Sequence, residues 1–208
     1  MPRDSTATKE RLLREAERLF ARQGLYRVTV REITQAAAQR NVSAINYHFG
    51  SREGVLMAIL ERHGDPTDEA RGKYLAALGR DASTRDLVAA LVVPYAAHLA
   101  TADGRDYLRI VAQMTDAFAT WRVQRPGTGP QLIEILAALE ERPTDLSLAI
   151  RRERVVAMIQ LMTAAMAERA RAIESGDTLA LDEPTFVANL TDVLVGILEA
   201  PLRGPLPG

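Results

Sequence analysis

Ser43, Asn46 and Tyr47 fall on one side of a short stretch, Val42–Phe49, whose other side carries Val42, Ile45 and Phe49 at i, i+3 and i+7. On a helix this spacing separates an apolar face from a working face. A buried helix would be apolar on both, and a plain solvated one more often carries Lys and Glu. Short hydrogen-bonding side chains with one phenolic hydroxyl suit base edges and phosphates at close range. His48 and Arg52 lie at or just past the end of the stretch, where they could meet phosphate oxygens. No comparable grouping points to enzymatic chemistry. His48, His63 and His98 lack metal-ligand spacing, and there is no cysteine. Gly50-Ser51-Arg52-Glu53-Gly54 is not the nucleophile elbow of a hydrolase, and no glycine-rich phosphate loop follows a strand. The expectation is a protein that is not an enzyme, with no metal and no cofactor.

The elements that must position this face read as helices. Leu12, Leu13, Ala16, Leu19 and Phe20 give one apolar side to a first helix, from about Thr8 to Gln23, which Gly24 stops. Arg11, Arg14, Arg18 and Arg22 form a basic stripe on another side. Thr29-Val30-Arg31-Glu32 is a capping box opening a second helix, continued by Ile33, Ala36 and Ala37. Gln39-Arg40-Asn41 makes a turn, and Asn41 can cap the third, short helix. Ser51 caps a fourth, Arg52–His63, which Gly64-Asp65-Pro66 interrupts or kinks before the pattern resumes to Leu78. Further helices are expected from Ser83 to about Ala100, Arg105–Trp121, a segment to Glu141, Thr144–Ser175 and Glu183–Ala200, with a loop at 125–130. The fold class is all-α: a three-helix head over residues 1–54 and a larger helical body over 55–208. Three short helices, the last two joined by a tight turn, are the geometry that lays one helix in a major groove.

Composition supports this division. Of 208 residues, 47% are apolar, enough for one or two helical cores. The net charge of −1 conceals a split: residues 1–54 carry ten Lys/Arg against six Asp/Glu, whereas the remainder carries 16 against 21. A basic head on an acidic body fits approach to a polyanion. The absence of cysteine, of a secretory leader pattern and of any apolar run near 20 residues suggests a cytoplasmic protein without a membrane partner.

Residues Thr8–Leu56 resemble the tetracycline-repressor (TetR) family. The resemblance rests on Leu19-Phe20-Ala21, Gly24-Leu25-Tyr26, Thr29-Val30-Arg31-Glu32-Ile33 and the run Ser43–Leu56, above all Tyr47-His48-Phe49 followed by Gly50-Ser51-Arg52-Glu53. It implies that Thr29 and Arg31 lie near phosphates. It implies too that Ser43, Ala44 and Asn46 face base edges while Tyr47, His48 and Arg52 hold the DNA backbone. Simpler roles stand beside these: Thr29 as a cap only, Tyr47 packed under the fourth helix, His48 as a buried structural histidine, and Arg52 as a solvated first-turn residue. The turn Ala37–Asn41 is one residue longer than the family norm and lacks its glycine. Asn46 stands where an aromatic residue is common.

In the body, Val155–Ala167 is apolar almost all round, which one core-facing stripe does not require. Phe186, Leu190, Val193, Leu194, Ile197 and Leu198 form a second stripe, with Gly196 beside it. The resemblance implies a homodimer through the helices near 144–175 and 183–200; a purely internal core is the alternative. Tyr95, His98, Tyr107, Met114, Phe118, Trp121, Met158 and Met162 could line a pocket, with Gln113 and Asp116 orienting a polar group, or they are ordinary core. The resemblance implies an operator DNA partner, a small-molecule effector, and a repressor that the effector releases. The rival reading is a ligand-independent DNA-binding adaptor acting through a protein partner.

Overall fold

The computed structural model describes residues 2–39, 41–79, 81–123 and 127–204, with the side chains of 2–4, 115 and 116 excepted. Among these residues the chain is all-helical. Its helices are α1 (Pro2–Gln23), α2 (Val30–Ala36), α3 (Ser43–Phe49), α4 (Arg52–Ala77), α5 (Thr84–Ala96), α6 (Ala102–Val111), α7 (Thr115–Phe118), α8 (Pro130–Glu140), α9 (Leu148–Ser175) and α10 (Glu183–Glu199), with a 3₁₀ turn, Ala97–Ala100, after α5. None of the described helices is long and apolar enough to cross a membrane.

The head forms as its caps dictate. Leu12, Ala16 and Phe20 are fully buried along α1, which ends at Gly24 with φ +105°. Thr29 opens α2 with a complete capping box: its hydroxyl oxygen accepts the Glu32 N–H at 3.3 Å, and the Glu32 carboxylate accepts the Thr29 N–H at 2.7 Å. The turn without glycine closes α2 by a Schellman arrangement. Gln39 N–H reaches Thr34 C=O at 2.8 Å, and Ala38 N–H reaches Gln35 C=O at 3.1 Å. Ala38 takes the left-handed conformation, φ +53°, that glycine would adopt without strain. Arg40 lies outside the described residues.

Four expected helices are revised. The fourth does not break at Gly64-Asp65-Pro66 but runs unbroken for 26 residues. Pro66 removes one ladder N–H, and Thr67 Oγ1 adds a bond to the His63 carbonyl at 2.6 Å. Gly64 is there for contact: a Cβ on it would lie 2.6 Å from the Gly127 carbonyl oxygen. The expected Arg105–Trp121 helix starts earlier, at Ala102, because the Thr101 hydroxyl accepts the Gly104 N–H at 3.0 Å. It also stops at Val111. The Gln113 carboxamide turns back to the Arg109 carbonyl, and the chain folds over into α7. The long helix begins at Leu148 rather than Thr144, where the Ser147 hydroxyl accepts the Ile150 N–H. The first helix, in turn, begins at Pro2 rather than near Thr8.

In the body, α6 packs between α1 and α9, α5 against α4, α8 and α10, and α10 also against α9. The N-terminus of α8 has no cap of its own. Asp68, from α4, supplies it by accepting the Gln131 N–H at 3.1 Å and the Leu132 N–H at 2.8 Å.

Candidate nucleic-acid interface and enclosed cavity

The short helix α3 presents its sides unequally. Ile45 is fully buried, and Ala44 and Phe49 are half-buried against the core. Val42, expected on the apolar face, is 45% exposed. It precedes the first helical residue and has turned out of the core; the Asn41 carboxamide oxygen accepts the Ser43 N–H at 2.9 Å and sets the start of the helix. Ser43 and Asn46 are exposed, and Tyr47 is 79% exposed, so Tyr47 is not packed under α4. Its ring meets only the edge of His48, which is half-buried. Thr29 and Arg31 are exposed at the start of α2.

Arg52 departs from the solvated first-turn alternative. Its Nε donates to the Val28 carbonyl at 2.7 Å, and its guanidinium lies 4.9 Å from the Phe20 ring centroid. It therefore ties the start of α4 to α1 and to the residue before the α2 cap. The adjoining Gly54 is equally constrained, since a Cβ there would sit 1.9 Å from the Phe49 carbonyl oxygen. The Gly-Ser-Arg-Glu-Gly run is thus the crossing at which α4 leaves α3.

The body joins the head along two seams. At the first, Gln113 Oε1 accepts the Leu25 N–H at 2.7 Å, and its Nε2 donates to the Phe20 carbonyl at 3.2 Å. The carboxamide is spent on the end of α1 rather than on a ligand. The Asp116 side chain lies outside the described residues. Beside Gln113, Glu174 of α9 accepts from Arg22 of α1 and from Arg109 of α6. Nearby Asp106 has its carboxyl pushed up to about 6 by burial and by the Glu174 charge. At the second seam, Glu17 of α1, deeply buried, approaches the partly buried His63 of α4 at Nε2, 2.5 Å away. The His63 ring stacks on Tyr107 at 4.7 Å between centroids.

Tyr107 leads into a cavity of about 180 Å³ walled by α4 to α9 and open on one side past Val123. Of the eight residues expected to line a pocket, Tyr95, Tyr107, Met114, Phe118, Trp121 and Met162 line this one. His98 and Met158 do not. Met158 is fully buried in the α9 packing, and the His98 ring sits behind Tyr107. Its Nε2 lies 2.7 Å from Thr67 Oγ1. The Thr67 hydroxyl gives its hydrogen to the His63 carbonyl, so His98 Nε2 is the donor to Thr67. Burial, followed by the charges of His63 and Arg71, lowers its pKa to about 4. The wall also holds a residue that no sequence pattern singled out: Arg71, on α4. Among the described residues, no group of three or more His, Asp and Glu side chains is arranged to hold a metal.

An exposed polar helix on a capped three-helix head defines a helix-turn-helix DNA-binding regulator. Residues 12–59 match the family described as bacterial regulatory proteins, tetR family. Over the whole chain, the fold resembles a tetR-family transcriptional regulator from Rhodococcus sp. (TM-score 0.56, 13% identity, covering 93% of this chain and 100% of that one). It also resembles the fatty acid degradation regulator FadR from Bacillus halodurans (0.53, 16%, 95% and 97%). A third likeness is to NalD, the secondary repressor of the MexAB-OprM multidrug efflux pump in Pseudomonas aeruginosa (0.53, 16%, 93% and 96%). No curated protein matches the chain. Residues 12–59 thus carry the DNA-binding region described for tetR-family regulators, and the rest of the chain shares the fold of these solved structures.

Proposed function

We propose that this protein is a dimeric repressor released from a pseudo-palindromic operator by a small molecule held in the α4–α9 cavity. The observation that carries the reading is that one helix serves both parts. Arg52, in the first turn of α4, anchors the head, and Met57, Leu60 and Arg71 of the same helix line the cavity. A ligand that displaces this wall acts on the Tyr107–His63–Glu17 seam and so on α1, which packs on α2 and α4, the two helices that hold the reading helix. Operator affinity falls to the extent that the ligand prefers the displaced state. In this reading, Ser43, Ala44 and Asn46 read bases. Thr29, Arg31, Tyr47 and His48 fix the backbone, and Arg52 positions the head.

The dimer is supported by an outward face of small and apolar residues. Ala157, Leu161 and Ala164 of α9 and Val193 and Gly196 of α10 are exposed. Leu190, Leu194 and Leu198, by contrast, are buried within the chain's own core. A two-fold axis there supplies two reading heads for two half-sites.

The test is a gel shift with duplex DNA flanking the protein's own gene, at several salt concentrations. Retarded bands that survive competitor DNA, with one dimer per site, are the expected result. Uniformly weak, sequence-blind retardation that vanishes with modest salt overturns it.

A further inference from the structure

Among the described residues, Arg71 is the one charged residue lining the cavity, and only 5% of it is exposed. Its nearest acid, Asp68, stands 3.9 Å from Nη1 and has both oxygens engaged by the N–H groups that open α8. Arg71 Nε is buried with no hydrogen-bond partner, and so is the hydroxyl of Tyr95. Burial holds the guanidinium pKa below its usual value, opposed by Tyr107, Asp68 and Tyr95. Two residues with unpaired buried donors thus stand in the wall of a chamber whose other described lining is aromatic and aliphatic apart from Thr120, Thr128 and Thr163. Buried donors left unsatisfied are costly, and a guanidinium is shaped for a carboxylate.

The size of the chamber limits what else can enter. At about 180 Å³ it is somewhat larger than an apolar cavity of about 150 Å³ that admits benzene. Its volume suits one aromatic ring and a short side chain.

We infer that the effector is a small aromatic carboxylic acid, bound as its anion, with the carboxylate on Arg71 and the Tyr95 hydroxyl and the ring against Trp121 and Phe118. This rests on the ligand-responsive reading above and names the chemistry of that site.

Trp121 is the single tryptophan of the chain and lines the cavity, so its fluorescence reports occupancy. The full-length protein is titrated with benzoate, phenylacetate and 3-phenylpropanoate, and with the primary amide of each. At least one acid is expected to saturate the Trp121 signal, with its amide about tenfold weaker or worse, since a charge-assisted bond is lost. Arg71→Met abolishes the preference for the acid. Tyr95→Phe, which removes one oxygen and leaves the ring, weakens the acid severalfold and keeps the variant set informative if Arg71→Met fails to fold. Equal binding of acid and amide, preference retained in folded Arg71→Met, or no saturation by any acid overturns the inference. The same titrations are repeated on the DNA-bound protein. Amides that bind and release DNA while acids do not refute the acid and leave the effector reading intact. Acids that saturate Trp121 with no change in DNA affinity support the acid and refute the effector reading.

Discussion

The reading helix and the cavity both present polar groups, but to opposite surroundings. Ser43, Asn46 and Tyr47 stand in the open, where water satisfies them until a partner displaces it. Arg71 and Tyr95 stand buried in the wall of a mostly apolar chamber that offers them little. An exposed group contributes almost nothing to folding and can be altered for recognition alone, whereas a buried one weighs on stability as well. The two regions should therefore respond differently to substitution.

The largest effect is expected where the cavity loop crosses α4. Gly64→Ala places a Cβ against the Gly127 backbone and should lower stability by about 1–3 kcal/mol, read from a denaturant melt. An unchanged midpoint would show that the loop yields there. Tyr47→Ala should do the reverse. Anisotropy titration should show operator affinity reduced by about tenfold, while the melt moves by no more than about 0.5 kcal/mol. A large loss of stability would mean that the ring supports the head instead of reading DNA.

A third test uses pH. His98 is neutral when folded and, with its pKa lowered to about 4, takes up a proton on unfolding below about pH 6.5. Its contribution is present at neutral pH and is lost as pH falls. Between pH 6.5 and 5.5, wild type should lose about 1 kcal/mol relative to His98→Gln. Asp106, raised to about 6, acts in the opposite sense: its contribution is present below about pH 4 and declines as pH rises through 6. It is common to both proteins and cancels in the difference. The smallest effect belongs to the head. Ala38→Gly relieves a left-handed alanine and should raise stability by about 1 kcal/mol or less, read from a denaturant melt.

The same contrast governs what could be read from residue order. The head is built from neighbours: Thr29 with Glu32, Asn41 with Ser43 and Ser51 with Gly54 all act within three residues, so their types announce the helix starts. Val42 departs from the expected apolar face because it is the N-cap of α3, at the open end of the helix where no neighbouring turn covers it. The cavity is built from distant partners. Arg71 borders a chamber whose walls come from six helices, and nothing in its local sequence separates it from a solvated arginine. Tyr95, Tyr107 and Trp121 were accessible because large aromatics on apolar helices have few other places to go. His98, of the same appearance, faces Thr67 behind the wall. Gln113 was misread for a similar reason: its partners Phe20 and Leu25 lie about ninety residues earlier.

The crossing of Gly64 and Gly127 has a genetic meaning. A Cβ on the first would meet the backbone of the second, and a Cβ on the second would come 2.6 Å from the Leu60 carbonyl oxygen. Neither loss relieves the other, so no single compensating change at the partner position restores the fit. A library randomised at both positions and selected for folded protein should return glycine at each. Diversification of effector range along this lineage then has to proceed through the side chains around the crossing, with the crossing itself inherited unchanged.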